Sequence, residues 1–427
     1  MSGPIPGGWA FSWFHFVGMR LFAVIMLLTL PSLRACALVV CLSLVGACSV
    51  VLRDPVPEDV YLQTSILGRE DLRFWRNQND PTQLTSGDSI SWSLQQDNSS
   101  IMHTQHNYLA ISGGGANGAY GAGLLVGWSQ RGTRPEFTMV TGVSTGALIA
   151  PFVFLGPAYD EQLKLLYTTM DSSSVFFRRS IFSIFTGDSL ANSTPLLRML
   201  EKYVTDEMIL EIASEYRKGR RLNIGTTNLD AGLPVIWNIG RIADSGHPDA
   251  AQLVRQILLA SASVPGIFPP VLIEVQDSAG NTYDEMHVDG GTSAQMFLYP
   301  TDTNYAEYRD LLDIHGVPMA YVIRNSRLDP DYDPVPRRLA NIAGRSVSSL
   351  IRTQGIGDVF RIAATTYRDG VTLKLTWIPM DAPDDPGEEI FDPVYMTAMF
   401  EYGYQRAVDD SAWTEMDFST LLPGQKE

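Results

Sequence analysis

The chain has 427 residues, 45% hydrophobic and 18% charged, a balance that suits one large or two ordinary globular domains and excludes a disordered polymer. Its net charge of -16 at pH 7 argues against a nucleic-acid partner, which needs basic surface to neutralise phosphates. The same charge argues against long-range attraction of the whole molecule to anionic lipid head groups.

The first segment in chain order reads as an export signal. Residues 1–52 carry no acid, and Arg20 and Arg34 precede the apolar runs LFAVIMLLTLPSL and ACALVVCLSLVGAC. A positive start, an apolar stretch and a small-residue site form a secretory signal. The stretch VGAC, residues 45–48, resembles the lipobox of bacterial lipoproteins, in which Cys48 becomes the lipidated first residue. One uncleaved membrane-spanning helix is the alternative use of the same stretch. The three cysteines, Cys36, Cys41 and Cys48, all lie in this leader, so the mature domain has neither a disulfide framework nor a thiolate metal site. The expected organisation is a lipoprotein-type signal peptide (1–47), an N-terminal extension (48–105), a catalytic core (106–325) and a C-terminal part (326–427) packed on the same domain. The expected location is the cell envelope, as an exported lipoprotein held to the membrane by a lipidated Cys48 or an N-terminal helix. The sequence does not specify an oligomeric state.

From residue 107 the texture changes. NYLAIS reads as a short strand, a glycine loop follows, and AYGAGLLVGWSQRG reads as a helix. FTMVTGVS is a second strand and TGALIAPFVFLG a second helix. Strand, helix, strand, helix implies a parallel sheet with helices on its faces. Further strands are expected at residues 221–229, 233–240, 318–325 and 372–379, and helices at 195–217, 249–261, 336–353 and 394–408. The segment 172–190, with Phe residues around Arg178 and Arg179, is either core or a lid that leans on a membrane. The acidic, proline-rich stretches 329–336 and 381–389 read as solvated connectors.

Two glycine patterns carry the chemistry. Gly113, Gly115 and Gly118 fit the G-x-G-x-x-G dinucleotide fingerprint in the right strand–helix context. That fingerprint also needs an acid about 20 residues on, ending the next strand, and Glu136 precedes that strand instead. The second pattern is Gly142, Ser144 and Gly146, a G-x-S-x-G nucleophile elbow on the turn between strand and helix. Neighbouring parallel strands bring both loops to one sheet edge, where the backbone N–H groups of the glycine loop form an oxyanion hole beside Ser144. Each such donor stabilises the transition state by about 2.7–4 kcal/mol. The hydroxyl needs a base. Of the histidines after the serine, His247, His287 and His315, the last is the best triad candidate, and Asp289 in HVDGG competes with it.

GGGANG (113–118), GVSTG (142–146) and DGG (289–291), in this order, resemble the three blocks of the patatin-like phospholipase family. LLASASVPGIFPP, TPLLRML and TTNLDAGLPVIWNIG resemble further segments of it, so the resemblance runs from about residue 107 to 325. It implies an α/β, three-layer α/β/α patatin-like fold with a central, mostly parallel sheet. It also implies a Ser144–Asp289 dyad without a catalytic histidine, and an oxyanion loop at Gly113, Gly114 and Gly115. Gly118, Gly142, Gly146, Gly290 and Gly291 support these motifs. The implied reaction releases fatty acid from a lipid ester through an acyl-enzyme, with no cofactor and no metal. Where the family carries Arg or Lys in its glycine loop, this chain has Asn117, which supplies no positive charge. A Ser-Asp-His esterase using His315 and a nucleotide-binding oxidoreductase using residues 113–118 are the alternatives.

Overall fold

Five parallel strands, largely buried, form the centre of the molecule. In the computed structural model, which describes residues 53–75, 100–169, 177–178, 191–301, 303–329, 332, 334–387 and 389–416, ten strands join in one sheet. They are β1 (Arg73–Trp75), β2 (Asn107–Ile111), β3 (Met139–Val143), β4 (Arg221–Asn228), β5 (Leu233–Asn238), β6 (Val271–Gln276), β7 (Thr282–Asp289), β8 (Met319–Arg324), β9 (Thr372–Trp377) and β10 (Thr414–Met416). The order is β1-β5-β4-β3-β2-β8-β9-β10, with β7 against the far half of β4 and β6 against β7. The run β4-β3-β2-β8-β9 is parallel. The antiparallel strands β5, β1, β7, β6 and β10 extend it. The leader with Cys48 and the segment 172–190, apart from residues 177 and 178, lie outside the described residues.

Alternation along the central strands sorts side chains into two apolar layers. Leu109, Ile111, Tyr321 and Ile323 join one cluster, and Tyr108, Ala110, Ala320 and Val322 join another. The first layer packs under α1 (Gly118–Gln130), α2 (Thr145–Leu155), α3 (Asp160–Thr169), α4 (Thr194–Tyr203), α5 (Asp206–Arg217), α6 (Ile239–Ala243) and α7 (Ala250–Ser261). The second lies under α8 (Tyr305–Leu311) and the C-terminal half of α9 (Leu339–Arg368). α10 (Pro393–Val408) returns to the first face, where Gly123 and Gly127 of α1 lie against the backbone of Phe400 and Tyr404. The expected central sheet flanked by helices is present, and residues after 325 supply β9, β10, α9 and α10 to it. Among the described residues no helix is long and apolar enough to cross a membrane.

Two elements differ from the sequence reading. The single helix expected at 195–217 is two, because Thr205 caps a new start by accepting the Met208 N–H at 3.2 Å, with Asp206 and Glu207 in the first turn. The helix expected at 336–353 runs on to Arg368, through Gly355 and Gly357.

The extension wraps the sheet end that carries β7. Asp284 donates its N–H to the Asp54 carbonyl at 2.7 Å, and Ser65 and Gln276 exchange backbone bonds. Arg73 forms a buried ion pair with Glu285 and also donates to Thr64 Oγ1 at 2.8 Å. Its guanidinium lies 5.3 Å from the ring centres of both Trp75 and Trp237. Burial pushes the Glu285 carboxyl up, but the Arg73 charge and hydrogen bonds outweigh it and hold the group well below the usual carboxylate range. Glu285 also accepts from Asn228 Nδ2 at 3.2 Å and pairs with His287 Nε2 at 2.9 Å. Arg73→Ala strands a buried carboxylate on the strand that ends at Asp289, so a loss of about 3–5 kcal/mol is expected in urea denaturation at neutral pH.

Candidate active site

Two strands meet end to end on one side of β4. Val143, the last residue of β3, pairs with Gly225, and Asp289, the last of β7, pairs with Thr226. β3 runs parallel to β4 and β7 antiparallel, so both C-terminal ends arrive at adjacent rungs. Ser144 and Asp289 are thereby neighbours although 145 positions separate them in the sequence.

Ser144 sits on the turn into α2 with φ 55° and ψ −126°, a left-handed conformation that a side chain rarely adopts. Its N–H donates to Ser261 Oγ at 3.0 Å, and Ser261 Oγ donates to the Gly225 carbonyl at 2.7 Å, which ties the turn to β4. The elbow closes tightly on β2: a Cβ at Gly146 would lie 2.3 Å from the Ile111 carbonyl oxygen, and Gly142 faces Gly146 equally closely. The serine is nearly buried, at the N-terminus of α2, where unpaired N–H groups favour developing negative charge.

Asp289 is held from several sides. Its N–H donates to the Ser263 carbonyl at 2.9 Å, its own carbonyl accepts from Thr227 Oγ1 at 3.1 Å, and Oδ1 accepts the Gly291 N–H at 2.7 Å. Oδ2 is buried and accepts no hydrogen bond among the described residues. Burial pushes the carboxyl up to about 6, while the nearby Ser144 hydroxyl and the Gly291 N–H work in the opposite direction. One oxygen is thus fixed by a backbone donor, and the other is left open beside the serine.

The glycine loop leaves β2 against these two residues. A Cβ at Gly113 would lie 3.0 Å from Ser144 Cβ and 3.6 Å from its Oγ. The Gly113 N–H itself is turned away, donating to the Gln295 carbonyl at 3.3 Å. Gly114 and Gly115 donate no hydrogen bond among the described residues. Asn325 clamps the loop: its N–H donates to Ser112 Oγ at 2.9 Å, its Nδ2 to the Ser112 carbonyl at 3.0 Å, and its Oδ1 accepts the Gly121 N–H at 3.1 Å. Gly118 opens α1 beside Thr145, and Gly290 continues the turn after Asp289 beside the Gly225 carbonyl. Asn117, in the position of the family's cation, accepts a hydrogen bond from Tyr395.

Three positioning residues escaped the sequence reading. Ser261 and Asn325 are fully buried and bonded as above. Gln295 links the turns, donating Nε2 to the Gly291 carbonyl at 2.8 Å and its backbone N–H to Asp358 Oδ2 at 2.8 Å. The available signal was a polar residue placed where an apolar helix or strand ends, as at ASAS and VIRN. A Cβ at Gly114 would lie 2.4 Å from the Asn325 carbonyl oxygen. Gly114→Ala must therefore push the free amides away from the serine, and a kcat loss of about 10²–10³ is expected with cooperative unfolding retained.

Both alternative readings fail on position. His315 precedes β8 at the edge of the sheet opposite Ser144, a strand length of about 16 Å away. It is exposed, 3.4 Å from Asp313 Oδ2, the same oxygen that His103 Nδ1 contacts at 2.8 Å. His103, Asp313 and His315 form a possible metal-ligand group among the described residues, remote from the elbow. Glu136 precedes β3 and lies at that same far edge beside Arg220, so the acid of the dinucleotide fingerprint does not reach the glycine loop. An open cleft lined by Phe74, Ile236, Phe297 and Ile362 has neither Ser144 nor Asp289 in its wall.

Residues 109–302 match the family model described as Patatin-like phospholipase, a span that includes the glycine loop, Ser144 and Asp289. Uncharacterized protein R571 of Acanthamoeba polyphaga mimivirus is 26% identical over 179 residues, 41% of this chain and 57% of that protein. The chain therefore spans a little over half the length of that curated relative. Among solved structures, VipD from Legionella pneumophila is similar with a TM-score of 0.33 and 13% identity, over 73% of this chain and 68% of that one.

Proposed function

We propose, with the patatin-like phospholipase match as premise, that this chain is a serine hydrolase of lipid acyl esters, with phospholipid or lysophospholipid as its substrate class. The observation that carries the reading is the open, buried Oδ2 of Asp289 on the rung next to the strained Ser144 elbow. In this mechanism Asp289 accepts the Ser144 proton as Oγ attacks the ester carbonyl. The amides of Gly114 and Gly115 receive the oxyanion, and the α2 N-terminus adds its dipole. The alcohol leaves with the proton from Asp289, water then attacks the acyl-serine with Asp289 again as base, and fatty acid is released. A carboxyl pushed to about 6 suits this role: it is ionised at neutral pH, yet basic enough to take a proton. An exported enzyme tethered to the cell envelope through Cys48 fits the same substrate, since the tether keeps the site beside lipid.

The test is labelling with a fluorophosphonate probe, together with hydrolysis of a panel of lipid esters. Covalent modification of Ser144 and release of fatty acid are expected. An unlabelled serine in a folded protein that hydrolyses no ester in the panel would overturn the proposal.

A further inference from the structure

At the sheet edge opposite Ser144, two loops are held in register by the strands they lead into. β2 and β8 are parallel neighbours, with Asn107 opposite Met319. Four residues before each of these stand His103 and His315. The pairing carries on ahead of the strands. The Met319 N–H donates to the His106 carbonyl at 2.9 Å, the His315 N–H to the Thr104 carbonyl at 3.1 Å, and the His103 N–H to the Leu312 carbonyl at 3.1 Å. Ile101, Leu312 and Ile314, from the same two loops, form a buried apolar cluster of their own. The histidines are thus delivered to one place by fixed backbone, not by mobile chain.

Asp313 joins them. Its Oδ2 lies 2.8 Å from His103 Nδ1 and 3.4 Å from His315 Nε2. All three atoms lie within 4.8 Å of one another. Two ligands bound to one zinc ion at about 2.0–2.1 Å and the tetrahedral angle are about 3.3 Å apart, so the Asp313 oxygen already supplies two edges of that figure. The third closes by rotation of the side chains, which are free to turn: His103 and His315 are each 61% exposed and Asp313 63%. The His103 hydrogen bond holds the Asp313 carboxyl below its ordinary value, so its oxygen is charged at neutral pH. His103 and Asp313 are both held at positive φ, 58° and 46°. Side chains adopt that region rarely, and such backbone collects where a ligand is clamped. An exposed pairing of side chains is too weak to account for it.

We propose that His103 Nδ1, Asp313 Oδ2 and His315 Nε2 bind a divalent transition-metal ion of the zinc type, as a clamp between residues 100–106 and the loop before β8. Two imidazoles and one carboxylate are a donor set that zinc accepts and that magnesium and calcium, which take oxygen, do not. His103 binds as the tautomer with its proton on Nε2, so the ion takes the place of the hydrogen bond to Asp313. Solvent completes the coordination. The clamp fastens the end of the N-terminal extension to the body of the sheet. It makes no use of the lipid-hydrolase reading and stands or falls apart from it.

The test uses the full chain in detergent, without a histidine tag and with Cys36, Cys41 and Cys48 changed to Ser, which removes the thiolates that compete for the ion. After treatment with a chelator the protein is titrated with zinc against a chromogenic competitor, and with magnesium in parallel. Thermal melts are recorded with and without zinc. One zinc per chain, no magnesium, and a Tm that rises with zinc concentration are expected, because only the folded chain holds the three ligands together. His103→Ala and His315→Ala should each weaken zinc binding at least about tenfold and abolish the rise in Tm. His247→Ala, which alters the histidine beside Asp249 on another loop, should change neither. No stoichiometric zinc at micromolar concentration in the cysteine-free chain, which needs no further variant, overturns the site. So does zinc bound equally well by His103→Ala and His315→Ala, or a Tm that zinc leaves unmoved.

Discussion

Ser144→Ala is expected to lower kcat/KM for lipid esters by about 10⁴–10⁶, to the level left by the oxyanion donors and binding alone. No other hydroxyl occupies the elbow: Ser261 is committed to the Gly225 carbonyl and Thr145 Oγ1 to Tyr167. The same position separates function from stability. At φ 55° and ψ −126° a side chain is strained, so Ser144→Gly should gain about 1–3 kcal/mol in denaturant melts while being as inactive as the alanine variant. A serine kept only for packing would give the opposite pair of results, with hydrolysis retained in Ser144→Ala and no stability gained in Ser144→Gly.

Asp289→Asn is expected to cost about 10⁴ in kcat, because the amide keeps the shape and the Gly291 bond but accepts no proton. In the unmodified protein, kcat/KM should fall about tenfold per pH unit below about 6, where the base is protonated. Stability moves the other way. The carboxyl is raised from 3.8 unfolded to about 6 folded, so its contribution is fully present below pH 3.8 and is lost as pH rises through about 6. The difference corresponds to about 3 kcal/mol at neutral pH. Asp289→Asn removes that dependence and should be more stable than the unmodified chain at pH 8, with the gap closing toward pH 4. His315→Ala serves as the control and should leave the activity profile unchanged, since His315 stands at the opposite sheet edge.

Much of the layout was legible before any coordinates. The strands at 107–111 and 139–143, the helices after them and the glycine-flanked serine follow from apolar runs and turn residues whose preferences are local. Length was harder: the helix expected at 336–353 continues through Gly355 and Gly357, because Val359, Ile362 and Ala363 pack on β8 and β9 and sheet burial outweighs two glycines. The break at Thr205 is readable in principle from the cap and its two acids.

The sequence by itself determined the chemical parts: a nucleophile on a tight turn, bare amides ahead of it and an acid ahead of two glycines. It also set the acidity of the body. Only the tertiary structure decided which of the two candidate side chains lies near the serine, because β7 runs antiparallel to β4 and delivers Asp289 to the rung where β3 ends, while the parallel β8 leaves His315 at the other edge. It also decided that Gly113 bonds to Gln295 while Gly114 and Gly115 donate no bond among the described residues. The physical reason is common to both: strand direction and hydrogen-bond pairing are settled between segments far apart in the chain, where local preference carries no information.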